Sequence, residues 1–340
     1  MTDLNHAAPR IPRIASLGGG HGLFNTLRAA RIVADHVSAI VTVADDGGSS
    51  GRMRREFDCL PPGDLRMALA ALAQDTERGL LWQNTIQHRF GGKGALKGHA
   101  VGNFLITGLA QVMGDELAAL DEIGDLFGVH GRVIPMCPIP LDLEAAVADI
   151  EEDPQEIVSV RGQVAVASTV GQVRRVRLIP DKPNASPAAV EAITNADLVT
   201  MGPGSWFSSV IPHVLVPQLV EAMNGSDAPK VLLLNLVPEI GEMSGMSMEH
   251  HLHMLHQHAH DLSMDIVIAD PSSVPNARDK RQLRNAAEKL GARILFRDVR
   301  EDDGRGRWTD THKADKVATV FQEIFCAQSA GTLKELPESL

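Results

Sequence analysis

Residues 11–325 are expected to form one α/β domain, a Rossmann-like doubly wound and mainly parallel sheet, with a helical insertion at about 64–130. Three observations predict it. Apolar runs alternate with segments of helical periodicity, the pattern of strands joined by crossover helices. The runs are apolar throughout rather than on every second residue, as strands covered on both faces require. Glycine-rich turns follow several runs directly, where a parallel sheet hands the chain to a helix.

The first unit reads as strand RIASLG (13–18), turn GGHG (19–22), helix LFNTLRAARIVAD (23–35) and strand VSAIVTVA (37–44). Residues 64–130 carry apolar residues at three-to-four spacing and read as helices. The sheet is expected to resume with GRVIPM, VSVRGQVAVAS and VRRVRLIP. A second alternation follows: helix 188–196, strand 197–202, turn PGSW, helix 208–223 and strand 230–236. Helix 247–260, strand 265–270, helix 280–291 and strand 292–299 complete it. Residues 1–10 and 327–340 are expected to be flexible tails.

Composition narrows the function. A chain of 340 residues with 44% hydrophobic and 22% charged residues can bury a sizeable core. A net charge of −11 argues against a nucleic-acid partner or insertion at an anionic membrane. The longest apolar runs fall short of a membrane span, and the start, MTDLNHAAPR, lacks a signal-peptide core. The three cysteines, Cys59, Cys137 and Cys326, are too dispersed for a disulfide framework or a CxxC metal site, so a cytoplasmic location is expected. A homo-oligomer such as a dimer is expected.

Three loops carry ligand chemistry. The first holds Gly18, Gly19, Gly20, His21 and Gly22, whose backbone can approach a ligand and point amides at it. It is not the dinucleotide fingerprint, because Leu23 stands where the third glycine belongs; an NAD(P)-binding protein is the weakest reading. In the second, Asp45 and Asp46 can accept hydrogen bonds or hold a hydrated Mg²⁺. Gly47, Gly48, Ser49 and Ser50 can form a nest of donors, and Arg52 adds a phosphate-matching fork. In the third, Gly202, Pro203, Gly204 and Ser205 precede a helix whose start favours phosphate, and Trp206 is placed to cover a ligand ring. The helix starts LPPGDLR (60–66) and GHAVGNFL (98–105) add Asp64, Arg66, Gly102 and Asn103 as candidates, although Asp64 reads more simply as a helix N-cap. The six histidines of EHHLHMLHQHAH (249–260) read as a solvated helix, because no complete metal-ligand set accompanies them.

The segments GGGHG, TVADDGGSSGR, LPPGDLR, GHAVGNFL and GPGSWFSSVIPHVLVPQL, in this order, resemble the bacterial gluconeogenesis factor family over roughly residues 11–325. The resemblance implies a regulatory factor that binds uridine-diphosphate sugars such as UDP-N-acetylglucosamine and needs no cofactor. It further implies a role in cell shape and peptidoglycan integrity on gluconeogenic carbon sources, with cell-wall synthesis proteins as partners. A more distant relative, 2-phospho-L-lactate transferase, implies the same fold. It also raises an alternative, an Mg²⁺-dependent transferase with Asp45 and Asp46 as metal ligands, although its second-strand block reads N-T-G-D-D rather than V-A-D-D-G-G. The family's N-x-x-x-Q-P-G-E segment stands here as NLVPEIGE, keeping Asn235, Gly241 and Glu242. A tyrosine implicated in UDP-sugar binding has no counterpart, since the chain has no tyrosine, and an arginine of the same role falls on Arg307.

Overall fold

The structure is a computed structural model that describes residues 10–150, 156–237, 247–304 and 307–339. The chain begins with β1 (Ile11–Gly18), α1 (Gly20–Val33) and β2 (Ala34–Val41). Five helices follow: α2 (Gly48–Phe57), α3 (Pro62–Leu72), α4 (Glu77–Gln87), α5 (Val101–Met113) and α6 (Glu116–Phe127). Strand β3 (Arg132–Pro135) returns to the sheet. An excursion then builds β4 (Asp142–Ala148), β5 (Val158–Arg161), α7 (Gln163–Ala167) and β6 (Gln172–Ile179). The second half contains α8 (Pro187–Thr194), β7 (Leu198–Met201), a π-helical turn (Trp206–Val210), α9 (Ile211–Val214), α10 (Pro217–Gly225) and β8 (Lys230–Leu233). It ends with α11 (Met248–His258), β9 (Ile266–Ala269), α12 (Ala277–Glu288), β10 (Arg293–Phe296), the hairpin β11 (Arg300–Asp302) and β12 (Trp308–His312), and α13 (Ala314–Ser329).

The main sheet has seven parallel strands in the order β10-β9-β8-β7-β1-β2-β3. From β1 the chain first builds outward through β2 and β3, then crosses back to start the other half at β7. The strand order therefore reverses between β1 and β7, the position where open α/β sheets form a crevice. Register makes the crevice compact: Gly18 lies level with Val41, and Leu17 with Met201. Every residue of β7, β8 and β9 is buried, as expected for strands covered on both faces.

Two sequence expectations are corrected here. Of the segments expected to resume the sheet, only Arg132–Pro135 joins it. The strands at 142–148, 158–161 and 172–179 form a separate antiparallel sheet, β5-β4-β6, and 163–167 is helical. The burial of β5 and β6 is one-sided, which suits a sheet with one face to water. The expected helix at 208–223 is broken into the π-helical turn, α9 and α10, because Pro217 has no N–H to continue the ladder and starts a new helix instead.

The C-terminal end is not the flexible tail expected for 327–340. Phe296 donates its N–H to the Glu338 carbonyl (2.7 Å), and Arg293 donates to the carbonyls of Leu333 and Leu336. Arg297, only 4% exposed, is bidentate to Glu323 and also donates to the carbonyls of Pro337 and Glu338. A buried guanidinium needs these acceptors, and the terminal segment supplies two of them. The other expected tail, residues 1–10, lies outside the described residues except for Arg10, which is paired with Asp35.

One close approach ties the halves together. A Cβ on Gly22, in the first turn of α1, would sit 2.0 Å from the Pro203 carbonyl oxygen and 2.7 Å from the Gly204 Cα. One turn later, the Thr26 hydroxyl donates to the Gly202 carbonyl at 3.1 Å. Gly22→Ala forces backbone apart at this contact and is expected to lower unfolding free energy by about 1–3 kcal/mol in denaturant titrations. Deleting residues 332–340 strands two donors of Arg297 and is expected to cost a similar amount, about 1–3 kcal/mol.

Candidate functional site

A cleft of about 260 Å³ opens at the carboxyl ends of β1, β2 and β7. Its first wall is the start of α1. Gly19 is the extended N-cap and has no side chain to cap the helix; Gly20, His21 and Gly22 of the first turn line the cleft. Such a helix start carries about half a positive charge and accommodates anions. Only glycine fits at position 19, because a Cβ there would lie 2.6 Å from both Asp64 Oδ2 and Thr42 Cγ2.

The facing wall is the turn after β7. Gly204 (φ +143°) and Ser205 lead into the π-helical turn, which presents Ser208 and Ser209 to the same space. The turn is held from behind by Asn235, whose Oδ1 accepts from the Gly204 N–H (3.0 Å) while its Nδ2 donates to the Gly204 carbonyl (2.9 Å). On its other side Gly204 borders a second chamber of about 420 Å³, which His21, Gly22, Pro203 and Asn235 share with Asp310, Thr311 and His312.

The acidic pair anticipated from sequence is divided. Asp45 lines the cleft and accepts from the Gly47 N–H at 2.9 Å. Asp46 turns toward α7 and accepts from the Val164 N–H at 2.9 Å, fixing the segment that brings Gln163 to the cleft. The second carboxylate in the cleft is Asp64, read from sequence as an N-cap. It caps nothing on its own helix and instead accepts from the Gly20 N–H at the start of α1. Burial and the neighbouring Asp45 push Asp64 up to about 7, against the opposing effects of that amide and of Arg66. Burial likewise raises Asp45.

Of the sequence-predicted residues, the cleft and its adjoining chamber bring together Gly19, Gly20, His21, Gly22, Asp45, Pro203, Gly204, Ser205 and Asn235. Gly18 and Gly202 lie just beneath, at the strand ends. The expected nest at 47–52 is instead the first turn of α2, with Gly47 as its N-cap. Ser50 accepts from the Gly63 N–H, while Ser49, Arg52 and Asn103 join a separate polar chain. Trp206 does not cover the cleft: its indole is fully buried, edge-on to the His251 ring at 4.9 Å. Arg307 sits at the β11–β12 hairpin, exposed and paired with Asp303, and lines neither chamber. Gly241 and Glu242 lie outside the described residues. Among the described residues no group of three or more His, Cys, Asp or Glu is placed to hold a metal ion. Among them, too, no helix is long and apolar enough to cross a membrane.

Sequence reasoning missed Asp64, Thr42 and Gln163 as cleft residues. LPPGDLR carried a signal for Asp64, since an acidic residue directly after Pro-Pro-Gly stands in the first turn of a helix. Gln163 had none, because it reaches the cleft only through the Asp46–Val164 contact.

The folded chain holds the Asp64 proton more tightly than the unfolded chain, so this linkage favours folding below pH 3.8 and is lost as pH climbs through about 7. Asp64→Asn, which cannot titrate, is expected to gain in Tm over the native chain between about pH 5 and about pH 8, the gap widening toward the alkaline end. Thermal unfolding of both proteins across that range measures it.

Comparison with known proteins shows the family and the fold. The family model described as 2-phospho-L-lactate transferase CofD matches residues 14–302. A "Putative gluconeogenesis factor" of Mycobacterium tuberculosis is 53% identical over 318 residues, covering 94% of this chain and 91% of the relative. The gluconeogenesis factor of Bacillus subtilis is 33% identical over 290 residues, 85% of this chain and 87% of that one. The crystal structure of a UPF0052 family member from Bacillus halodurans superposes with a TM-score of 0.79 at 30% identity, covering 92% of this chain and 98% of that one. With the strand order, the glycine turns and the length of these matches in agreement, the chain belongs to the gluconeogenesis factor family, of the CofD/UPF0052 group.

Proposed function

We propose that this protein binds a uridine-diphosphate sugar of the UDP-N-acetylglucosamine type in the cleft between β1 and β7. Its role is that of a regulatory factor for cell shape and cell-wall integrity during gluconeogenic growth. The observation that carries the reading is the meeting of two amide-rich bends, Gly19–Gly22 and Gly204–Ser209, beside Asp45 at the switch point of the sheet. The glycine-capped start of α1 suits a diphosphate at the amides beyond Gly20, which Asp64 engages. Asp45 suits a ribose or sugar hydroxyl, which can donate to a carboxylate where a phosphate cannot. The chambers of about 260 and 420 Å³ on either side of Gly204 offer room for the two ends of such a ligand. No cofactor is needed for binding.

A second reading, a magnesium-dependent transferase acting on a nucleotide-activated donor, draws on the pairing of Asp45 with Asp64. Two carboxylates facing one cleft can share a hydrated Mg²⁺ that also contacts the ligand's phosphates. In that case the metal pair is Asp45 and Asp64, since Asp46 is committed to the Val164 amide.

Isothermal titration with UDP-N-acetylglucosamine separates the readings. The first expects saturable heat without added metal, weakened about tenfold or more by Asp45→Asn, the magnitude of a lost hydrogen bond to a charged group. Binding that appears only with Mg²⁺, accompanied by turnover of a nucleotide donor, supports the second. Absence of heat at millimolar ligand in both conditions rejects the UDP-sugar assignment.

A further inference from the structure

Five polar side chains from α2, α3, α5 and the segment before α5 form a continuous chain, and none of them lines the cleft. Arg52 Nε donates to His99 Nε2 at 2.9 Å. A guanidinium only donates, so Nε2 is the acceptor and the ring proton of neutral His99 sits on Nδ1, directed at Ser49 Oγ 3.0 Å away. Asn103 Nδ2 also donates to Ser49 Oγ at 3.0 Å, and Asn103 Oδ1 accepts from Arg66 Nε at 3.0 Å. The orientation of each group is thereby set by the next. The members are deeply placed: Ser49 and Arg66 are 4% exposed, Asn103 1%.

The chain has more donors than acceptors. Ser49 Oγ receives two hydrogen bonds, and its own proton has no acceptor among the described residues. Arg66 spends only Nε, on a neutral amide; its two Nη groups meet no carboxylate or carbonyl among the described residues. Neither Nη belongs to the fully occluded, unpartnered atoms, so both reach accessible space. Burial, with a smaller contribution from the nearby Arg89, lowers Arg66 to about 10, and burial, Arg52 and Arg89 lower His99 against the opposing Glu56. Asp45 and Asp64 offset this charge from a distance without offering an acceptor atom to it. A chain of net charge −11 has thus gathered guanidinium groups around a buried, donor-rich point. Leaving a buried guanidinium without an ionic acceptor is costly, on the order of several kcal/mol.

We propose that Arg66 and Ser49, held in register by Asn103, form a subsite for a tetrahedral phosphate oxyanion. The two Nη groups supply a planar fork matched to two phosphate oxygens, and the Ser49 hydroxyl supplies a third donor. The phosphate is either a free phosphate or monoester, or the phosphate of a larger ligand that also occupies the cleft. The subsite goes beyond the UDP-sugar reading and does not require it.

Thermal unfolding of the full chain in inorganic phosphate, against chloride at equal ionic strength, tests the subsite. The native chain is expected to gain Tm saturably with phosphate. Arg66→Met is expected to abolish the gain, and Arg66→Lys, which keeps the charge but not the fork, to weaken the apparent phosphate affinity at least tenfold. Arg174→Gln, which removes an exposed charge on the small sheet, is expected to respond as the native chain does. If Arg66→Met fails to fold, Arg66→Lys carries the comparison. Protection by phosphate no greater than by chloride, or an unaltered response in Arg66→Lys, overturns the subsite. Saturating UDP-N-acetylglucosamine distinguishes the source: loss of phosphate protection identifies the ligand's own diphosphate, and undiminished protection identifies a separate phosphate.

Discussion

The constraint on which the structure depends is the near-contact of two backbones at Gly22 and Pro203. Helix α1 and the turn after β7 come from opposite halves of a sheet whose strand order reverses between them. They approach so closely that a methyl group at Gly22 would overlap the Pro203 carbonyl. Two amide-rich bends can face a common space only if nothing larger than hydrogen separates them. The hydrogen bond from Thr26 to Gly202 and the double clamp of Asn235 on Gly204 hold this approach from either side. The cleft is thus a consequence of backbone packing, and its polar side chains are arranged around it.

The electrostatics of that space are unusual for an anion site. The amides at the start of α1 favour negative charge, and Asp64 already accepts from one of them, yet Asp45 and Asp64 both enter the cleft and each has its proton held more tightly than usual. The two tendencies are reconciled by a ligand that carries phosphates at one end and hydroxyls at the other, or by a cation between carboxylate and phosphate. In the chain of Arg52, His99, Ser49, Asn103 and Arg66 the balance differs, because Arg66 is buried with no carboxylate partner among the described residues. Neighbouring positions of α2 serve the two places: Ser50 contacts the loop beside the acidic pair, and Ser49 the cationic chain.

Several expectations from sequence failed for identifiable physical reasons. Trp206 follows a glycine turn, and such a position gives no indication whether the indole points out over a ligand or in toward α11; packing on His251 sent it inward. The serines and glycines at 47–51 have turn-forming composition, yet Gly47 serves as an N-cap and the following residues wind into α2. The C-terminal segment has no periodicity to mark it as ordered. It is held instead by arginines of β10 and the residue after it, which bond its carbonyl groups.

By itself the sequence determined the fold class and the positions of the strand-to-helix turns. Continuous apolar runs can only be strands covered on both faces, and the glycines mark where backbone must turn or be approached. It also picked out Gly19–Gly22, Asp45 and Gly204–Ser205, which line the cleft, because those residue types follow directly on strand ends. Only the tertiary structure decided that Asp64 rather than Asp46 accompanies Asp45, that Gln163 arrives from a separate sheet, and that Arg66 lies buried with unspent donors. Adjacent residues in an extended loop point in different directions, and which one meets the cleft depends on elements more than a hundred residues away, as the contact of Asp46 with Val164 illustrates.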